Sequence, residues 1–129
     1  MKRVINSSKV PSISAPLSQA IQAGDFIFVS GQVGRESNGD LGKTVERQVE
    51  LALRHIESIL HEVGATMENV VKVSVWLADI KSAPSMNLIY KKFFSNNPPA
   101  RAAYQVAKLP MDACVEIEAI AHLPKKSKL

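Results

Sequence analysis

Apolar positions recur three and four apart between Thr44 and Val63: Val45, Val49, Ala52, Leu53, Ile56, Ile59, Leu60 and Val63. On a helix they form one stripe, with Glu46, Arg47, Glu50, Arg54, Glu57 and His61 on the other side. Thr44 is placed to cap the start and Gly64 to end the helix in the left-handed conformation. From Asn69 to Leu77 the pattern alternates instead. Val71, Val73, Val75 and Leu77 then share one face of a strand, and Val70, Lys72, Ser74 and Trp76 the other. A second helix is predicted over Ala83–Ser95, with Ser82 as N-cap, Pro84 in the first turn, and Met86, Ile89, Tyr90 and Phe93 turned inward.

Strands are predicted at Val4-Ile5 and from Ala20 to Ile27, where Gly24-Asp25 marks a hairpin turn ahead of Phe26–Ser30. Gly34–Gly42, with Asn38-Gly39-Asp40, reads as a loop. Beyond Pro98-Pro99 come two further strands, Arg101–Ala107 and Val115–His122, joined by Leu109–Ala113. The order ββ-α-β-α-ββ predicts an α+β domain with a mostly antiparallel sheet and two helices on one face. Two helices cover only one side of such a sheet. The other side carries Val70 and Trp76, with Ile120 among Glu116, Glu118 and His122, a mixed face suited to another subunit rather than to water. A homo-oligomer with sites at subunit junctions is expected.

With 129 residues the chain suits one domain, read as 1–124 with a basic tail at 125–129. Hydrophobic residues make up 46% and charged residues 22%, which excludes low-complexity disorder for the bulk of the chain. No apolar run approaches the length of a membrane span, so no membrane partner is expected. The start, Met1-Lys2-Arg3-Val4-Ile5-Asn6, lacks an apolar stretch, so no secretory signal is expected. A single cysteine, Cys114, suits a reducing compartment and is read as a structural thiol. The net charge of +4 is partly a tail effect, since without Lys125, Lys126 and Lys128 it is +1. That is nearly neutral for a nucleic-acid binder.

Motif chemistry is mostly negative. His55 and His61 are six apart on a helix and His122 stands alone, so no metal site is expected. No Walker loop, dinucleotide GxGxxG or GxSxG elbow is present. Ser30-Gly31-Gln32-Val33-Gly34 reads as a turn at a strand end. What remains is Arg101 opening one strand, with Glu116 and Glu118 two apart on one face of the next. These residues form either a solvated, charge-balanced strand or a site in which Arg101 clamps a carboxylate and Glu116 moves a proton. Spacing leaves both readings open.

The wording of these segments carries a resemblance. Pro99-Ala100-Arg101-Ala102-Ala103-Tyr104-Gln105-Val106-Ala107, Leu109-Pro110 and Val115-Glu116-Ile117-Glu118-Ala119-Ile120-Ala121 resemble the signature of the RidA (YjgF, L-PSP) family. Ser30-Gly31-Gln32, Val70-Val71-Lys72 and Asn87-x-x-Tyr90-x-x-Phe93-Phe94 follow in the family's order, so the likeness runs from Val4 to Ala121 and is strongest to animal members. It implies a chorismate-mutase-like subunit in a homotrimeric barrel, with three clefts between subunits. It also implies an activity: hydrolysis of reactive 2-imino acids, such as 2-iminobutanoate and 2-iminopropanoate, to 2-oxo acids and ammonia without a cofactor. Arg101 and the Gly31 N–H would take the substrate carboxylate. Glu116 and the Ala103 carbonyl would hold the water. Asn87 and Ser30 would support the cleft and Phe93 would form its apolar side.

Two positions depart from the family's usual wording. Leu17 stands where a tyrosine hydroxyl is usual, a hydrogen bond worth ~1.5–3 kcal/mol when it meets a charged group. Ala103 stands where bacterial members often have cysteine. Two other functions stay open: an endoribonuclease acting on single-stranded RNA, a name some family members carry, and a non-catalytic trimer that binds small carboxylates or acts as a chaperone-like surface. Aromatic residues are only 5% of the chain, a poor supply for stacking RNA bases. Ser127-Lys128-Leu129 matches the peroxisomal C-terminal address, so cytoplasm and peroxisomal matrix are both expected possibilities.

Overall fold

The computed structural model describes residues 1–125, so the Ser127-Lys128-Leu129 address lies outside the described residues. Three strands precede the first helix: β1 (Lys2–Ile5), β2 (Ala20–Ala23) and β3 (Phe26–Val33). Then come α1 (Val45–His61), β4 (Val70–Leu77), α2 (Ala83–Phe93), β5 (Ala100–Gln105) and β6 (Val115–His122). The expected ββ-α-β-α-ββ order is short by one strand, because Lys2–Ile5 pairs with β2 as a full edge strand. The strands form one sheet in the order β1-β2-β3-β6-β4-β5, antiparallel throughout except for the parallel pair β4–β5, which α2 connects. This is the expected α+β architecture.

α1 follows its sequence stripe closely. Val49, Ala52, Leu53, Ile56, Ile59 and Leu60 are buried against Ile27, Val73, Val75, Ile117 and Ala119 of the sheet. The Thr44 side chain accepts the Arg47 N–H at 3.0 Å, and Gly64 follows with φ +81°. Two polar residues sit in the buried face of α1, and both tie down the loop after β3. Gln48 donates to the Gly42 carbonyl at 2.8 Å and accepts the Cys114 N–H at 2.8 Å. The His55 ring Nε2 lies 2.9 Å from the Arg35 carbonyl.

Four local expectations are corrected. In β4 the faces of the first two residues are exchanged: Val70 is buried and Val71 is 43% exposed. A register shift between Val70 and Lys72 against β6 inserts the extra residue that reverses the alternation. At α2, Ser82 is itself helical and makes no side-chain cap. A 3-10 turn at Ile80–Ser82 precedes it, with the Asp79 side chain accepting the Lys81 N–H. The helix also ends at Phe93 rather than Ser95, and β5 ends at Gln105 rather than Ala107.

Candidate active site

Arg101 lies in register with Val73, whose side chain is fully buried on the helix-covered face. Paired residues on neighbouring strands share a face, so Arg101 points towards α2. There its guanidinium donates to Asn87 Oδ1 at 2.8 Å, lies 3.7 Å from Met86 Sδ, and stacks 4.7 Å from the centre of the Tyr90 ring. Asn87 and Tyr90 are three apart on α2 and so occupy neighbouring positions on its surface. Arg101 has no carboxylate partner among the described residues. An exposed guanidinium oriented by a neutral amide and an aromatic ring keeps donors for an incoming anion. The Tyr90 hydroxyl is buried without a hydrogen-bond partner among the described residues, and burial pushes it up to about 12 despite the nearby Arg101 cation.

β5 is the edge of the sheet. The Val106 N–H donates to the Leu77 carbonyl at 3.0 Å, so along this strand the even-numbered residues turn their amide groups towards β4. By the two-residue period, the N–H and C=O groups of Arg101 and Ala103 project from the free edge. The Ala103 carbonyl is therefore on the rim where the Arg101 strand ends the sheet.

Glu116 is built into a different surface. It pairs with Trp76 on β4 and Val33 on β3, between the fully buried Val115 and Ile117. Those two neighbours face the helices, so Glu116 faces the open side. A register shift between Val29 and Gln32 in β3 turns Val33 to this open side too, into a small cluster with Leu109, Ala113 and Trp76. Next to that shift, Gly31 lies so close that a Cβ built on it would sit 2.5 Å from Glu116 Oε2. Half-burial, then the neighbouring Glu118, hold the Glu116 carboxyl above its ordinary 4.5. A proton-transfer group with a raised value works closer to neutral pH.

Glu116 and Gly31 open into a groove of about 390 Å³ whose wall includes Ile13, Leu17 and Met111. Ser30 contributes from behind, since its hydroxyl donates to the Ser18 carbonyl at 2.6 Å and its N–H to the Gln19 carbonyl at 2.9 Å. Both bonds hold the backbone that presents Leu17. A larger groove of about 600 Å³ shares Ser12, Ile13 and Leu17 as a wall, but its one charged lining residue is Lys9.

The expected site residues thus fall into two groups. Gly31, Ser30, Leu17 and Glu116 meet on the open face, while Arg101, Asn87 and the Ala103 edge meet at α2. Phe93 joins neither. It packs against the core near the end of α2, with the Arg54 guanidinium 4.9 Å from its ring centre. Tyr90 and Met86 hold the place beside Arg101 that sequence reasoning gave to no residue. The signal for Tyr90 was its three-residue spacing from Asn87. Arg101 and Glu116 are on opposite faces of one sheet, in register with β4 residues three apart, roughly 10 Å along the strand. One chain therefore does not present both to one small molecule. No group of three or more His, Cys, Asp or Glu residues placed to hold a metal exists among the described residues, and no described helix is long and apolar enough to cross a membrane.

Residues 7–123 match the family described as Endoribonuclease L-PSP. The mouse protein named 2-iminobutanoate/2-iminopropanoate deaminase is 46% identical over 124 residues, covering 94% of this chain and 91% of the mouse protein. A RutC family protein of Pyrococcus abyssi is 41% identical over 123 residues, covering 94% and 97% of the two chains. Among solved structures, E. coli TdcF with bound serine superposes with a TM-score of 0.89 at 31% identity, covering 93% of this chain and 98% of TdcF.

Proposed function

The chain belongs to the Endoribonuclease L-PSP family, and from that premise we propose that it is an imine deaminase that hydrolyses 2-imino acids to 2-oxo acids and ammonia. The observation that carries this reading is Arg101: an exposed guanidinium, positioned by Asn87 and Tyr90, with no carboxylate partner among the described residues. A small 2-imino acid supplies that carboxylate, and the planar fork takes it through two parallel hydrogen bonds. The mouse relative's name and the serine held by TdcF point to the same class of ligand.

The chemistry needs one base and one oriented water. Glu116 takes a proton from water as its oxygen bonds to C2, and returns that proton to the nitrogen, which receives the C=N electron pair and becomes an amine. Glu116 then takes the proton of the new hydroxyl as the C=O forms and passes it to the amine, so that the C–N bond breaks with its electrons leaving on ammonia. One water is consumed, one ammonia is released and the carboxylate is restored. The Ala103 carbonyl at the β5 edge accepts the water's second hydrogen, and the Gly31 N–H supports the substrate carboxylate. A positioned proton-transfer group contributes ~10²–10⁴-fold, and orientation adds to it. No step calls for a cofactor.

The two halves of the site require two copies of the chain. In the proposed homotrimer, the β5 edge of one subunit lies against the Glu116 groove of the next, so three equivalent sites form between subunits. The exposed apolar side chains of the sheet support this arrangement: Phe26, Phe28, Val71 and Tyr104 are each more than 40% exposed.

The test couples the protein to threonine dehydratase and follows 2-oxobutanoate while semicarbazide competes for the imine. Acceleration at micromolar protein, lost in Arg101→Ala, is expected. No acceleration, together with binding of 2-oxobutanoate, would replace the enzyme with a carboxylate-binding module. Arg101-dependent cleavage of RNA by the same preparation would favour the endoribonuclease.

A further inference from the structure

The wall of the Glu116 groove carries more apolar side chains than a methyl or ethyl group could cover. Building on the deaminase reading above, we infer that the site prefers 2-imino acids with long aliphatic or aromatic side chains, such as those derived from leucine and phenylalanine. Glu116 and the Ala103 carbonyl fix where water meets C2, and Arg101 with the Gly31 N–H fixes the carboxylate, so the substituent on C2 runs along the groove that Glu116 and Gly31 line. The groove of a single subunit measures about 390 Å³, and in the proposed trimer the next subunit's β5 edge takes part of it. What remains beside Glu116 is a mainly apolar wall, most of which a methyl or ethyl group leaves uncovered. An isobutyl or benzyl group covers Ile13, Leu17, Val33 and Met111. Besides Glu116, the charged lining residue is Arg35, whose Nη1 and Nε donate to the Ser12 and Gly39 carbonyls at 3.1 Å each.

Met111 gives an independent observation. It has φ +60° and is followed by Asp112 at φ +58°, two successive left-handed residues without a glycine. Such a conformation persists only where its surroundings enforce it, and it concentrates at ligand-contacting positions. The enforcing contacts are Asp112 N–H to the Leu109 carbonyl at 3.2 Å and Ala113 N–H to the Pro110 carbonyl at 3.0 Å, with Leu109 and Ala113 both buried. The strained turn does not bury the methionine. It leaves Met111 54% exposed on the groove wall, as an unbranched and adaptable apolar surface.

The experiment compares kcat/KM for imines generated in situ by an amino-acid oxidase from alanine, 2-aminobutanoate, leucine and phenylalanine, with semicarbazide as competitor. Each further buried methylene is worth about fourfold in kcat/KM. The leucine-derived imine is therefore expected to exceed 2-iminobutanoate by at least about tenfold. Met111→Ser and Ile13→Ser, both at exposed positions, are expected to shrink that ratio several-fold. Equal or faster hydrolysis of the two small imines by the wild type would overturn the preference and leave the deaminase reading standing. A wild-type preference that persists undiminished in both variants would also overturn it, because the groove would not be its source. No acceleration for any of the four imines would remove the deaminase reading, and this inference with it.

Discussion

Glu116 Oε2 occupies the space where a side chain at position 31 would begin: a Cβ on Gly31 would lie 2.5 Å away, well inside contact distance. The carboxylate has reached the β3 backbone because the residue there is glycine. Gly31→Ala is therefore expected to push the carboxylate out of place and lower kcat by tenfold or more. Its circular dichroism should match the wild type, since the displaced group is a half-buried side chain. Unchanged turnover in Gly31→Ala would show that this close approach has no part in catalysis.

Glu116→Gln keeps the shape and removes the base. A drop of ~10²–10⁴-fold in kcat is expected. The raised value also has a sign for stability. Between the ordinary 4.5 and the higher folded value, the folded protein holds a proton that the unfolded chain has lost, so wild-type stability falls as pH rises through that window. Glutamine lacks this loss. The variant's thermal midpoint should gain on the wild type as pH is raised from 4 to 8, and the acid limb of wild-type kcat/KM should lie above 4.5.

Arg101→Lys preserves charge but not the fork. Losing one hydrogen bond to a charged group costs ~1.5–3 kcal/mol, or roughly 10- to 150-fold in kcat/KM. A site shared between subunits adds a sharper expectation. Arg101→Ala and Glu116→Gln are each inactive alone, yet after co-refolding in equal amounts about a quarter of the junctions in random mixed trimers carry both native residues. Activity that stays at the single-variant level in verified mixed trimers would exclude a shared site.

Tyr90 offers a separation of ring from hydroxyl. Its hydroxyl is buried without a partner, a situation that costs ~1–3 kcal/mol, so Tyr90→Phe should raise the thermal midpoint. Tyr90→Leu removes the ring beneath Arg101 and should raise KM by roughly 2- to 30-fold, the span of a cation–π contact.

His55 should make the fold acid-sensitive. Burial, the largest influence, holds its value below the ordinary 6.5, and the Arg35 carbonyl opposes this only in part. As pH falls from about 6.5, the unfolded chain takes up the proton first, so stability is lost towards the folded value. Thermal midpoints of the wild type and His55→Gln measured from pH 7 to 5 should converge as the wild type loses this contribution.

The amino-acid sequence alone determined the α1 stripe, its Thr44 cap, the α+β class and the identity of the residues with chemistry to offer. Each of these depends on near neighbours in the chain: a 3.6-residue period, a cap three residues from its partner, a charged side chain in an otherwise apolar strand. Tertiary structure decided where those side chains point. Two register shifts, at Val29/Gln32 and Val70/Lys72, reverse strand alternation, burying Val70 and turning Val33 towards Glu116. Tyr90 rather than Phe93 meets Arg101 because β5 delivers the guanidinium to the Asn87 end of α2. Arg101 and Glu116, fifteen residues apart in sequence and on adjacent-but-one strands, face opposite sides of one sheet. A side chain's direction in a sheet depends on which residue of another strand it pairs with, and that partner is set by packing far away in the chain.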